Sequence, residues 1–281
     1  MRLFHSRVLV ALDAGSVAGA VVSSVLGRTR SGDWARVGLP SGSLEPSHAD
    51  VNLVAPEAVK AALRAVRERL GARARPAIVV LPEGVARVGV ADVPKGVSVR
   101  EFARYRLAPS LSYPAREAIV DAVALGGGRY LFGAVRQGVA QAYEEAVEAV
   151  GFQVERVDAA PLVAIAGLRR LVGAREAGVA LLLGDVALSI AGFARGRLAA
   201  FRTRLRAPGS GEVEWLLEEV ARTAGLAGSA APGRVVVVGS EARRIAVSLA
   251  ALGCDASAAL LGEGQETSEG ADLAWLGAAL A

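Results

Sequence analysis

The sequence predicts an α/β protein of two similar halves with mixed sheets, the first half carrying an inserted α+β segment. Three observations predict it. A strand–glycine turn–strand pattern opens the chain and recurs late: Leu12-Asp13-Ala14-Gly15-Ser16-Val17-Ala18 lies over Leu181-Leu182-Leu183-Gly184-Asp185-Val186-Ala187, sharing Leu, Gly, Val and Ala. Short apolar runs, Ala77–Leu81 and Arg234–Val238, suit strands buried on both faces. Helical periodicity fills the intervals between them, as in Val59, Leu63, Val66 and Leu70.

The elements follow in order. Arg7–Leu12 and Val17–Leu26 read as a hairpin around Asp13-Ala14-Gly15-Ser16, with a third strand near Trp34–Leu39 and a polar loop from Pro40 to Asp50. A helix spans Pro56–Leu70, with proline tolerated in its first turn and Gly71 as its stop. Pro76 introduces the Ala77–Leu81 strand. Next come a strand-like piece at Ala86–Val90, a helix Val99–Leu107 after Ser98, and hairpin arms Ile119–Leu125 and Tyr130–Val135. The Gly126-Gly127-Gly128-Arg129 link joins two strands with no helix N-terminus behind it, so it reads as a hairpin turn and not a phosphate loop. Helix Gly138–Val150 stops at Gly151, strand Phe152–Val157 follows, and Asp158 caps a helix Ala159–Leu171. The late part runs Val179–Leu183, a turn at Gly184-Asp185, Val186–Phe193, and a hairpin through Arg195-Gly196-Arg197 to Phe201–Leu205. Helix Glu212–Ala224, strand Arg234–Val238, helix Glu241–Leu252, an acidic loop Gly262–Gly270 and helix Asp272–Leu280 complete it. The expected organisation is residues 1–81 as the first part of the first-half core, 82–151 as the insert, 152–174 closing that core, and 175–281 as the second half.

Composition narrows the chemistry. The 281 residues include one cysteine and two histidines, which excludes a disulfide framework and a cysteine-rich zinc site and suits a reducing compartment. Lys60 and Lys95 are the only lysines, and neither follows a glycine-rich loop, so a P-loop is absent. A net charge of +4 with 5% aromatic residues is a weak footprint for nucleic acid. The apolar stretch from Val8 to Gly27 is interrupted by Asp13, which costs about 2.5–3.5 kcal/mol at mid-bilayer. A buried hairpin in a soluble, cytoplasmic chain is the expectation.

The motifs resemble a known family. Val10-Ala11-Leu12-Asp13-Ala14-Gly15-Ser16 is similar to the opening LDIGS hairpin of the type IV pilus assembly protein PilM family, and of the related GspL/EpsL cytoplasmic domain of type II secretion. Ala77-Ile78-Val79-Val80-Leu81-Pro82 with Val93-Pro94, then Tyr130-Leu131-Phe132-Gly133-Ala134-Val135 and Val157-Asp158, resemble its succeeding strands. Ala271–Leu280 is similar to its closing helix. The resemblance covers nearly the whole chain and implies the actin-like ATPase, or duplicated RNase H-like, fold. In that fold two glycine turns face each other across a cleft and cradle nucleotide phosphates with backbone N–H groups. Asp side chains there position Mg²⁺-bound water, and a third glycine turn meets the adenine. The residual cleft would be formed by Asp13, Gly15, Ser16, Gly184, Gly239 and Ser240.

The departures are informative. Val17, Ala18 and Ala20 stand where the family has hydroxyl residues and a lysine, and Leu182 stands where the second turn has its aspartate. The adenine turn reads Val238-Gly239-Ser240. Mg²⁺ needs oxygen ligands or waters that oxygens hold, so these changes argue against ATP hydrolysis and against tight ATP·Mg²⁺ binding. Asp13 has two readings, a turn residue bonding local backbone or a retained phosphate or Mg²⁺ role.

The expected function is a non-catalytic scaffold on the cytoplasmic face of the inner membrane, in a pilus or type II secretion assembly platform. The resemblance implies docking of the cytoplasmic N-terminal tail of a PilN-like bitopic protein, with the assembly ATPase as a further partner and membrane contact only through partners. The tail surface would be Pro82–Ala91 and Val99–Leu107, with Phe102 and Tyr105 as anchors. The rival reading is a nucleotide-binding ATPase or small-molecule kinase with atypical phosphate motifs. Arginine clusters at Arg64, Arg67, Arg69, Arg73 and Arg75, and at Arg195, Arg197, Arg202, Arg204 and Arg206, are either solvated faces or sites for an acidic partner or anionic headgroups. His5 and His48 lack the companions a metal site needs, Ser16, Ser110 and Ser240 lack a histidine base, and Cys254 reads as a small packed residue.

Overall fold

The computed structural model describes residues 4–25, 28–71, 76–163, 177–184, 186–206, 209, 211–239 and 241–258. The first half is a five-stranded sheet in the order β3-β2-β1-β4-β8, formed by β1 (Phe4–Asp13), β2 (Ser16–Val25), β3 (Arg28–Gly38), β4 (Pro76–Leu81) and β8 (Gln153–Ala159). The second half repeats it strand for strand. Its order is β11-β10-β9-β12-β13, from β9 (Gly178–Leu183), β10 (Ala187–Ala194), β11 (Arg197–Leu205), β12 (Arg234–Gly239) and β13 (Ala256–Ala258). In both, the opening three strands are antiparallel and the last two join in parallel. The repeated strand–turn–strand pattern therefore belongs to a repeated topology. Strand β13 carries no signal in the sequence: Ala-Ser-Ala is too short and too bland to show a period, and it is a strand because β12 pairs with it.

Helix α1 (Pro56–Arg69) buries Val59, Leu63 and Val66 on one face of the first sheet, and Leu70, just past its end, joins them. The expected insert holds a three-stranded sheet, β5 (Arg87–Asp92), β7 (Arg129–Arg136) and β6 (Ala118–Gly126), in the order β5-β7-β6. Helix α2 (Val99–Leu107) covers it, and the Ser98 side chain accepts the Glu101 N–H as its N-cap. Helix α3 (Gln137–Glu148) falls inside the 82–151 range yet packs mainly on the first-half core. It sends Val139, Tyr143, Ala146 and Val147 into the core beneath α1. Its apolar stripe is long enough to cover the first sheet, and burial there outweighs sequence neighbourhood. The second sheet is covered by α4 (Glu212–Leu226) and α5 (Ala242–Ala251) through Leu216, Val220, Ile245 and Leu249.

The faces of the two sheets turned away from these helices contribute to one cluster, which Ala160, Leu162 and Val163 also join. Leu9, Ile78 and Val80 of the first half join Ala180, Leu182, Phe193, Val236 and Val238 of the second in one buried cluster. Strand β8 runs on through Asp158 to Ala159, so helical structure begins at Ala160, and Asp158 pairs with Arg156 at 2.8 Å. The expected helix beyond Val163, the closing loop and helix Asp272–Leu280, and Arg73, Arg75, Asp185 and Ser240 lie outside the described residues.

Candidate functional site

The two hairpins bring their turns to one end of the shared interface. In the first, Asp13 pairs with Ser16 around a two-residue turn, and Asp13 Oδ1 accepts the Ala14 N–H at 2.8 Å. Gly15 is held by its carbonyl, which accepts the Leu39 N–H at 2.9 Å. Ser16 is buried and its Oγ accepts from Arg36 Nε at 2.9 Å.

In the second hairpin Leu183 pairs with Leu188, and Gly184 N–H donates to Ala187 O at 2.9 Å, again leaving two residues in the turn. Hairpin register thus equates Asp13 with Gly184 and Ala11 with Leu182. The sequence alignment, two residues out, made Leu182 the substitute for the second aspartate. The match on glycine misled it, because Gly15 lies within its turn while Gly184 closes the second one. The conclusion about chemistry is sharper: the second half offers hydrogen at that position.

Glu83 fills the space so left. It follows β4 by two residues, is 4% exposed, and a Cβ on Gly184 would stand 3.2 Å from its Cγ. Ser189 Oγ donates to Glu83 Oε2, while Oε1 is buried and has no hydrogen-bond partner among the described residues. Burial pushes this carboxyl up to about 8; the Ser189 bond opposes the shift and the nearby Asp13 charge adds to it. Sequence reading missed Glu83. A single glutamate after an apolar strand and a proline carries no motif, and only the meeting of the halves makes it buried.

The third turn lies beside the second. Gly239 pairs with Leu183 at φ +121°, and a Cβ there would come within 2.3 Å of Leu183 O, so glycine is obligatory. Ser240 is outside the described residues. The cleft between the turns is a cavity of about 120 Å³, bordered by Asp13, Ser16, Arg36, Glu83, Leu182 and Gly239.

Beyond Gly239 an ion-pair cluster occupies the mouth of the second half. Arg206 Nε bonds Glu212 Oε1 at 2.8 Å, its Nη2 bonds Glu241, and its Nη1 donates to Gly184 O at 3.1 Å. Arg244 completes the ring with Glu212 at 2.8 Å and Glu241 at 2.9 Å. The Arg206 bond holds the Glu241 carboxyl below its ordinary value. Arg202 and Arg204 both reach Glu219, at 2.7 and 3.4 Å. The alternating arginines of β11, which sequence reading left facing solvent or a partner, face α4 instead. Glu212 and Glu219 sit seven residues apart on that helix, on the same face.

The expected tail surface divides. Pro82–Ala86 is seated in the interior apart from half-buried Gly84. Phe102 packs on Phe132, ring centroids 6.0 Å apart, within the insert's own core, whereas Tyr105 is 81% exposed. The two do not present one apolar face. His48 contacts Arg87 and Ser112, each at 3.0 Å, tying the Pro40–Asp50 loop to the insert; burial lowers its pKa. Among the described residues no cluster of three His, Cys, Asp or Glu could hold a metal, and no helix is long and apolar enough to cross a membrane.

No model of a protein family matches the sequence, and no curated protein matches it. Solved structures do match in fold. A chain of the PilM–PilN type IV pilus biogenesis complex superposes with a TM-score of 0.72 at 18% identity, covering 98% of this chain and 97% of that one. The cytoplasmic domain of EpsL, an inner-membrane component of the type II secretion system of Vibrio cholerae, gives 0.57 at 13% identity over 98% and 94%. A Bacteroides thetaiotaomicron protein of unknown function with an actin-like ATPase fold gives 0.53 at 12% identity over 84% and 82%.

Proposed function

We propose that this chain, which has the actin-like ATPase fold it shares with a PilM–PilN complex chain and the EpsL cytoplasmic domain, is a non-catalytic scaffold of a pilus or secretion assembly platform. It docks the cytoplasmic tail of a PilN-like membrane protein at the inner face of the inner membrane. The fold supplies the association with that machinery, and the cleft supplies the non-catalytic part.

The observation that carries the second point is the replacement of the second turn's carboxylate by Gly184, with Glu83 lying over it. A triphosphate·Mg²⁺ brought there would meet Asp13 but no carboxylate from the second turn to hold the metal, Lys60 and Lys95 belong to neither turn, and Arg36, which borders the cleft, is bonded to Ser16. The cavity of about 120 Å³ is also well below the roughly 300–1,000 Å³ of sites that enclose small-molecule ligands.

Titration of fluorescent ATP with and without Mg²⁺, beside Asp13→Ala, tests this directly. The expected result is no saturable micromolar binding in either protein. Micromolar binding that Asp13→Ala abolishes supports the rival nucleotide-binding reading instead. Docking is tested by pull-down with the tail peptide of the neighbouring membrane protein and by Tyr105→Ser. Retention by the wild type and loss in the variant is expected. No retention at high micromolar peptide removes the docking claim.

A further inference from the structure

We propose that Glu83 is a proton-linked latch between the two halves, holding the cleft closed while protonated and releasing it on ionisation. The latch concerns the cleft itself and stands whether or not a membrane-protein tail docks elsewhere.

The geometry is that of a bolt and its keeper. Glu83 belongs to the first half, just beyond β4, and its hydrogen-bond partner Ser189 belongs to β10 of the second. Thr203 Oγ1, on β11, stands 3.5 Å behind Ser189 Oγ and backs it. Bare Gly184 gives the carboxyl room, and Gly84 passes over Ala187, where a Cβ would lie at 3.6 Å. The segment after β4 is therefore seated on the second hairpin, and opening the cleft means lifting it off.

The protonation state follows from the surroundings. Protonated, Glu83 offers its O–H along the bond to Ser189 Oγ, whose own hydroxyl turns to Thr203 Oγ1; ionised, Glu83 accepts from Ser189 instead. Facing groups come from every neighbouring element. Asp13 at the end of β1 raises the pKa of Glu83. Arg36 of β3 borders the cavity with its Nε donating to Ser16 of β2. Arg206, after β11, bonds the Gly184 carbonyl and is otherwise taken by Glu212 and Glu241. On β8, Asp158 is paired with Arg156. Among the described residues no basic side chain bonds Glu83. An ionised Glu83 in the closed cleft would be an unpaired buried charge beside a like charge, which is strongly unfavourable. Protonated, it is compatible with closure; ionised, it is better served by water, and the halves part.

The sign is definite. The carboxyl is raised from 4.5 in the ordinary state to about 8 in the closed one, so its stabilisation is complete below the ordinary value. It is then lost progressively as pH rises through about 8. One pH unit past that value the ionised form is in roughly tenfold excess.

The test places spin labels on cysteines at Arg64 of α1 and Val247 of α5, in a Cys254→Ser background, and measures the inter-half distance at pH 6.5 and 9. A single distance is expected at pH 6.5 and a second, longer population at pH 9. Glu83→Gln, permanently neutral, is expected to keep the short distance at both, and Ser189→Ala to show the long population already at pH 6.5. Urea unfolding of the same proteins should show stability falling with pH between about 5 and 8 in wild type and flat in Glu83→Gln. An unchanged distance at pH 9, or opening of Glu83→Gln in step with wild type, overturns the latch. Should Glu83→Gln fail to fold, Ser189→Ala, which leaves the carboxyl in place, decides the question alone.

Discussion

Gly184 and Gly239 are adjacent through Leu183 and are glycines for different reasons. At Gly239 backbone meets backbone, with Leu183 O 2.3 Å from where a Cβ would stand. Gly239→Ala is therefore expected to lower stability by about 3 kcal/mol or more, read as a shift in the urea midpoint at constant slope. At Gly184 the obstacle is the Glu83 side chain at 3.2 Å together with Ala187 O at 3.0 Å. Gly184→Asp, which restores a carboxylate to the second turn, is expected to cost about 1–3 kcal/mol by overpacking. It should also leave the protein no better at binding Mg²⁺·ATP, measured by the same fluorescent titration. The added carboxylate would face Asp13 and crowd the buried Glu83, so nucleotide binding is not gained by one substitution.

At the scale of elements, β11 and α4 are joined by charge as well as by packing. Arg206 and Glu212 are each 2% exposed at the side chain, so truncating either leaves its partner buried and unpaired. Arg206→Ala is expected to cost about 3–5 kcal/mol. Arg206→Met with Glu212→Leu together should cost less than the sum of the single changes, and a double-mutant cycle in urea reads the difference. Helix α2 shows the opposite case, one element with two unlike faces. Phe102→Ala removes a ring from the insert's core and should lower the melting temperature by several degrees, while Tyr105→Ser should leave it within about 1–2 °C.

For the whole molecule, the repeated topology gives two five-stranded sheets that share one buried cluster, with Leu9, Val80, Leu182 and Val238 in it. An apolar cluster and the Glu83–Ser189 bond connect the two halves. Millimolar ATP with Mg²⁺ is accordingly expected to shift the melting temperature by less than about 1 °C, because a ligand stabilises only what it binds. A shift of several degrees would count for the nucleotide-binding reading.

Much of this architecture was legible in the chain. The Val59, Leu63, Val66 and Leu70 stripe, the all-apolar Ala77–Leu81 strand and the glycine-centred hairpins announce themselves because helical and strand periodicity are local properties. The duplication was legible for the same reason, each half being the same succession of local patterns. What only the tertiary structure decided are pairings between residues far apart. These include the register that sets Gly184 against Asp13, the capture of Arg202, Arg204 and Arg206 by α4 and its neighbour, and the packing of α3 on the first core. The burial of Glu83 against Ser189 is of the same kind. An exposed glutamate and a buried one have the same letter, and the free energy that separates them comes from the surface that the other half of the chain removes from water.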